Sequence, residues 1–190
     1  MTTARTAFPK TLRAVIFDLD GTLVDTADEF EPVVQALRAE HGRGPMDPAR
    51  IRASVSNGAR ALVSLGLDMP EDAAEFEHNR LRLLELYSGV LGTLATPYPG
   101  IVALLEQLQA QGIAWGISTN KPRAFTAPLL AKLDLQPPPG SVVCPDDIGN
   151  RKPHPESLYR NCRDLGCAPH EAIYVGDHLR DIEAGRRAGM

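Results

Sequence analysis

Four short apolar runs punctuate the chain: Leu12 to Phe17, Ile113 to Thr119, Val142-Val143 and Ala172 to Val175. Amphipathic stretches precede the last three, at Ile101 to Gln111, Phe125 to Leu133 and Glu156 to Leu165. Strand and helix in alternation predict an α/β fold, a parallel Rossmann-like sheet with helices on its faces. The nearly unbroken apolar character of the strands agrees, because both faces of such a sheet are covered.

Between the first two runs the pattern changes. From about Asp25 to Tyr98 no strand-like run occurs, and FEPVVQALRAE, PARIRASVS, GARALVSLG and AEFEHNRLRLLELY read as helices separated by Gly, Pro and Asp signals. The expected organisation is a discontinuous core, residues 1–24 and 99–190, interrupted by an all-helical insertion at 25–98. The RLRLLELY stripe at Arg80 to Tyr87 reads as core. The PPPG at Pro137 to Gly140 marks a stiff loop, and no internal repeat is present.

At 190 residues the chain can bury a core of one domain plus a smaller insertion. Its 20 basic and 24 acidic residues give a net charge of −4, with no basic tract to follow a phosphate backbone, so nucleic acid is not an expected partner. The opening MTTARTAFPK lacks the apolar segment of a signal peptide, and no apolar run approaches bilayer length. These features predict a cytoplasmic protein without a membrane partner, and they leave monomer and homodimer equally open. Cys144, Cys162 and Cys167 have no metal-ligand spacing and read as reduced, structural thiols. His41, His78, His154 and His170 make no ligand pattern either. Only four of the basic residues are lysine: Lys10, Lys121, Lys132 and Lys152.

The candidate chemistry lies where the strands end, which is where parallel α/β sheets bind ligands. The first run ends in Asp18, followed by Asp20-Gly21; the second in Ser118-Thr119-Asn120; the last in Gly176-Asp177. Arg151-Lys152-Pro153 follows the short third run. Buried carboxylates are costly unless paired or bound to metal. An all-oxygen set of this kind suits a hard cation such as Mg²⁺, with a lysine and a hydroxyl left for phosphate oxygens. Simpler readings exist for each residue. Asp18 and Asp20 could cap the following helix, Thr119-Asn120 could cap a helix from Lys121 to Leu133, and Asp177 and Asp181 could be first-turn acids. Lys152 alone could be a solvated surface lysine.

Taken together, DLDGT, the STN strand end, the K-P of RKPHP and GDHLRD resemble the four motifs of the haloacid dehalogenase (HAD) superfamily, in order and over nearly the whole chain. The resemblance implies that Asp18 is a nucleophile that accepts a phosphoryl group, and that Asp20 is the general acid and then base. It implies that Thr119 and the Asn120 backbone bind phosphate and that Lys152 bridges phosphate and Asp18. Mg²⁺ would be held by Asp18, Asp177 and the Asp20 carbonyl, with Gly21 and Asp181 in support. Nothing is assigned to His178.

The same resemblance sorts the chemistries. Asp20 argues for phosphate transfer over hydrolytic dehalogenation, in which no alcohol leaves. No lysine lies between Asp25 and Pro97, which excludes Schiff-base phosphonate cleavage, and the membrane helices and D-K-T-G-T of ion pumps are missing. A helical insertion after the first motif is similar to the C1 cap of the phosphoglycolate phosphatase-like group. SVSNGARALV, WGISTNKP and VVCPDDIGNRKPHPESL are similar to the phosphatases of N-acetylmuramic acid 6-phosphate, which serve peptidoglycan recycling. The expected partner is a small anionic phosphorylated metabolite, with Arg60 as the candidate reader of its carboxylate. A β-phosphoglucomutase-like mutase and a non-catalytic phosphometabolite sensor are the alternatives. Relatives would begin another strand at about Met190, so the core is expected to lack its last strand and to leave an edge uncovered.

Overall fold

The computed structural model describes residues 11–190, so the expectations resting on MTTARTAFPK, Lys10 included, lie outside it. In chain order the elements are β1 (Ala14–Phe17), β2 (Val24–Asp25), α1 (Ala27–Glu40), α2 (Pro48–Ser54), α3 (Ala59–Leu67), α4 (Phe76–Val90), β3 (Thr96–Pro97), α5 (Ile101–Ala110), β4 (Ala114–Ser118), α6 (Arg123–Leu133), β5 (Ser141–Val143), α7 (Glu156–Leu165), β6 (Ala172–Val175) and α8 (Leu179–Ala188). They group into two compact units. Among the described residues, one holds 11–23, Pro99–Arg123 and Asp134–Met190; the other holds Val24–Tyr98 and Ala124–Leu133.

The first unit is the α/β core. Its sheet runs β5-β4-β1-β6 with every pairing parallel. Ala14 stands opposite both Ala114 and Ala172, and Phe17 opposite both Ile117 and Val175. All four residues of β1 are buried, as the apolar run AVIF requires of an inner strand covered on both faces. Pairing continues past the strand ends: the Asp18 amide donates to Val175 O (2.8 Å) and the Thr119 amide to Val143 O (3.1 Å). Those bonds fix the backbones of Asp18 and Thr119 at the carboxyl rim.

Helix α7 brings Leu158 and Cys162 onto Ala14 and Ile16. Asn161, fully buried on α7, donates to Ile117 O (3.0 Å) and Ser141 Oγ (2.9 Å), which ties the helix to β4 and β5. The side-chain NH2 of this buried residue is used twice, whereas its Oδ1 has no hydrogen-bond partner among the described residues. Cys144, Cys162 and Cys167 are free thiols, and burial together with Cys167 pushes the Cys162 thiol up to about 12, which disfavours its thiolate.

The second unit is helical apart from one detail. Val24–Asp25 and Thr96–Pro97 form a two-stranded antiparallel ribbon where a helical insertion without strands was expected. Two-residue strands carry no periodicity, and a proline in one hides it further. Leu83 and Tyr87 from the RLRLLELY stripe are buried, whereas Leu81 is exposed. The Tyr87 ring stacks on Phe30 at 4.2 Å. Glu29, without solvent exposure, accepts from the amides of Leu94 and Ala95 (both 3.2 Å) and from the Tyr87 hydroxyl (3.3 Å). Among the described residues, no helix is long and apolar enough to cross a membrane.

Candidate active site

At the carboxyl rim of the core sheet the strand ends bring Asp18, Asp20, Thr119, Asn120, Lys152, Asp177 and Asp181 to one cluster. Its centre is the Lys152 ammonium, whose side chain is shielded from solvent. Nζ lies 2.9 Å from Asp18 Oδ1 and 2.7 Å from Asp181 Oδ1, and donates to Ser118 O (3.0 Å) and to the Tyr174 hydroxyl (2.7 Å). Lys152 is therefore not a solvated surface lysine. An ammonium has three protons for these four oxygens, so at least one contact is shared.

The Lys152 backbone is fixed as well. Its amide donates to Asn120 Oδ1 and its carbonyl accepts from Asn120 Nδ2, both at 3.2 Å. The side chain of Asn120 thus clamps the lysine loop, leaving its own backbone for other contacts. Glu156 secures the same loop by accepting from the amides of Gly149 and Asn150 and from the Asn150 side chain, all at 3.0 Å, and these bonds hold its carboxyl below the usual range.

Asp18 is 5% exposed and accepts from the Leu19 amide at 2.7 Å. Burial pushes its carboxyl up to about 6; the Lys152 charge opposes that shift and the neighbouring Asp181 and Asp20 add to it. The helix after β1 begins only at Ala27, so neither Asp18 nor Asp20 caps it. Asp20 instead pairs with Lys121, Nζ to Oδ1 at 2.9 Å. Thr119 Oγ1 accepts from the Lys121 amide (3.0 Å) and, as a hydroxyl, still has its proton to donate. That turn stands ahead of α6, which starts at Arg123.

Asp181 combines the two readings open to it. Oδ2 accepts from the His178 amide (3.0 Å), completing a capping box with His178 Nδ1, which accepts from the Arg180 amide (3.2 Å); Oδ1 meets Lys152. His178 is thus the N-cap of α8. Asp177 precedes that cap, is exposed, and accepts from Thr22 Oγ1 at 3.3 Å.

The donor set fits a hard divalent cation. Carboxylate oxygens of Asp18, Asp177 and Asp181 lie within 4.8 Å of one another. Four carboxylates face two ammoniums, Lys121 and Lys152, an imbalance that one divalent ion offsets. Two glycines keep the cradle open. Gly21 has φ +81°, and a Cβ there would stand 2.5 Å from Asp177 Oδ2; a Cβ on Gly176 would run into the Asp181 side chain.

Arg60 belongs to the helical unit, where Nε contacts Glu71 Oε2 at 2.7 Å and the guanidinium lies 4.8 Å from the Phe76 ring centre. Sequence reasoning missed Lys121 and Tyr174. Lysine scarcity was a signal that could have found Lys121 as well as Lys152: of the three described lysines two are in this cluster, and Lys132 bonds to Leu91 O. Tyr174 gave no comparable signal. Its hydroxyl is within hydrogen-bond distance of Ser118 O (3.1 Å) and Asp181 Oδ1 (3.0 Å), and burial with the charges of Asp18 and Asp181 raises it well above the usual phenol range.

The sequence matches the family described as haloacid dehalogenase-like hydrolase over residues 15–190. The chain is 43% identical to the N-acetylmuramic acid 6-phosphate phosphatase of Pseudomonas aeruginosa, covering 94% of this chain and 79% of that one. It is 38% identical to the phosphoglycolate phosphatase of Xanthomonas campestris pv. campestris, covering 94% and 80%. Among solved structures, a predicted phosphoglycolate phosphatase from Haemophilus somnus 129PT aligns with TM-score 0.80 at 26% identity, covering 94% and 82%.

Proposed function

The chain belongs to the haloacid dehalogenase-like hydrolase family, and we propose that it is a Mg²⁺-dependent phosphomonoesterase working through an aspartyl phosphate on Asp18. The observation that carries this reading is the buried contact of Asp18 with Lys152 at 2.9 Å, inside a carboxylate cluster sized for one cation. A structural ion pair needs neither the second carboxylate of Asp181 nor the gap left by Gly21.

In this reading the ionised Asp18 attacks phosphorus in line with the departing ester oxygen, so its burial keeps water away from a nucleophile that is weak by nature. Lys152 neutralises phosphate charge while Asp181, Tyr174 and Asn120 hold it in place. Thr119 donates its hydroxyl, and the Asn120 backbone its amide, to phosphate oxygens. Asp20 gives a proton to the leaving alcohol and then takes one from the water that cleaves the aspartyl phosphate. Asp18, Asp177 and the Asp20 carbonyl would hold Mg²⁺, which when bound supplies charge neutralisation at the phosphoryl oxygens. Residues 25–98 are the cap in this assignment, and Arg60 its candidate substrate reader.

The names of the relatives suggest two substrates, N-acetylmuramic acid 6-phosphate and 2-phosphoglycolate, both carboxylates. Identity favours the sugar. The test is phosphate release with Mg²⁺ from each, with Asp18→Asn as the blank. A kcat/KM advantage for the sugar supports the assignment, an advantage for phosphoglycolate reverses the substrate choice, and product that retains its phosphate points to a mutase. Release by Asp18→Asn at the wild-type rate overturns the mechanism.

A further inference from the structure

Lys121 has a placement that the reaction as described does not use. Lysines rarely bury their ammonium unless it is paired, yet the Lys121 side chain is 7% exposed and its Nζ stands 2.9 Å from Asp20 Oδ1. Its root is rigid, because the Lys121 amide donates to Thr119 Oγ1 at the end of β4. Asp20 lies on the turn after β1, which closes through the Leu23 amide on Leu19 O (3.0 Å). The two ammoniums divide three of the four carboxylates between them: Lys152 meets Asp18 and Asp181, and Lys121 meets Asp20.

We infer that Lys121 is the positioning residue of Asp20 and that the pair forms the leaving-group device of the reaction proposed above, on which this inference rests. The contact through Oδ1 sets the rotation of the carboxyl for proton transfer. As the Asp18 oxygen bonds to phosphorus, the phosphorus–ester bond breaks and its electron pair stays on the ester oxygen. That oxygen takes the proton of Asp20, which enters the step in its protonated form with Oδ1 still accepting from Lys121, and the carboxylate left behind already faces the ammonium.

Leaving-group dependence tests this. An alkyl phosphate needs a proton on its departing oxygen, whereas p-nitrophenolate leaves without one. The value of kcat/KM reports steps up to alcohol release, so the later water step does not intrude. Lys121→Met, Lys121→Arg and Asp20→Asn are compared on the preferred alkyl phosphate, on glucose 6-phosphate as an alkyl ester without a carboxylate, and on p-nitrophenyl phosphate.

The expected result is a loss of about 100-fold for Lys121→Met on both alkyl esters, at least tenfold larger than its loss on the aryl ester. Asp20→Asn follows the same pattern, and Lys121→Arg restores part of it. Equal losses on alkyl and aryl esters, with Asp20→Asn still discriminating, overturn the role of Lys121 alone. A loss confined to the carboxylate-bearing ester also overturns it, since Lys121 would then read the substrate. If Asp20→Asn does not discriminate, or the wild type hydrolyses no phosphate ester, the parent reading fails.

Discussion

Lys152 Nζ and Asp181 Oδ1 stand 2.7 Å apart, with neither side chain reaching solvent. Removing one partner of such a pair leaves a charge stranded in a medium that solvates it poorly. Because Lys152 also meets Asp18, Asp181→Asn is expected to cost about 3 kcal/mol, the low end for a broken buried pair. Asparagine keeps an oxygen for the His178 amide. Asp181→Ala loses that cap too, and should cost about 1 kcal/mol more. Urea unfolding of the two variants in chelator checks the order; equal stabilities would show that the cap contributes nothing.

Asp18 gives the fold a pH dependence. Its carboxyl is raised from 3.8 to about 6, chiefly by burial. With the folded value above the unfolded one, its contribution to stability is full below 3.8 and is lost as pH rises through about 6. Without metal, Asp18→Asn should therefore be more stable than wild type at about pH 8, by up to about 3 kcal/mol. The difference should vanish near pH 4. Unfolding curves in chelator at both pH values decide this, and an undiminished gap at the lower pH refutes it.

Gly21→Ala places a methyl group against Asp177 at a backbone angle that L-residues rarely adopt. If Asp177 holds the ion as proposed, displacing it should weaken divalent-cation affinity by about tenfold or more. Calorimetric titration with Mg²⁺ measures it, and unchanged affinity would remove Asp177 from the ligand set.

Tyr174→Phe tests the support of Lys152. The phenol accepts from the ammonium and offers one proton toward Ser118 O and Asp181 Oδ1. A hydrogen bond to a charged group is worth about 1.5 kcal/mol, which corresponds to roughly tenfold in kcat/KM. Inhibition by orthovanadate should weaken by a similar factor while inhibition by phosphate changes less. Parallel loss of both would indicate general loosening.

The parts of this protein that sequence patterns foretold are those a single element encodes. AVIF and Ala114–Ser118 are apolar because they are inner strands covered on both faces, and the edge strand Ala172–Val175 keeps the same apolar run although only partly buried, so the strands and the polar residues at their ends were visible without coordinates. The Val24–Asp25 ribbon was hidden because its partner is Thr96–Pro97, far along the chain. Lys121 and Tyr174 were missed for the same reason: what each does depends on Asp20, or on Lys152 and Asp181, and those distances arise only when four strand ends meet. Glu29 is similar, an acid inside an amphipathic helix whose buried partners lie near Leu94.

The most direct test of the central claim is to look for the phosphoryl group on Asp18. Acid-quenched turnover mixtures, digested and mapped by mass spectrometry, should show a phosphorylated Asp18 peptide that depends on Mg²⁺ and is missing from Asp18→Asn. Turnover without any phosphorylated peptide, or with the group on another residue, would contradict the account.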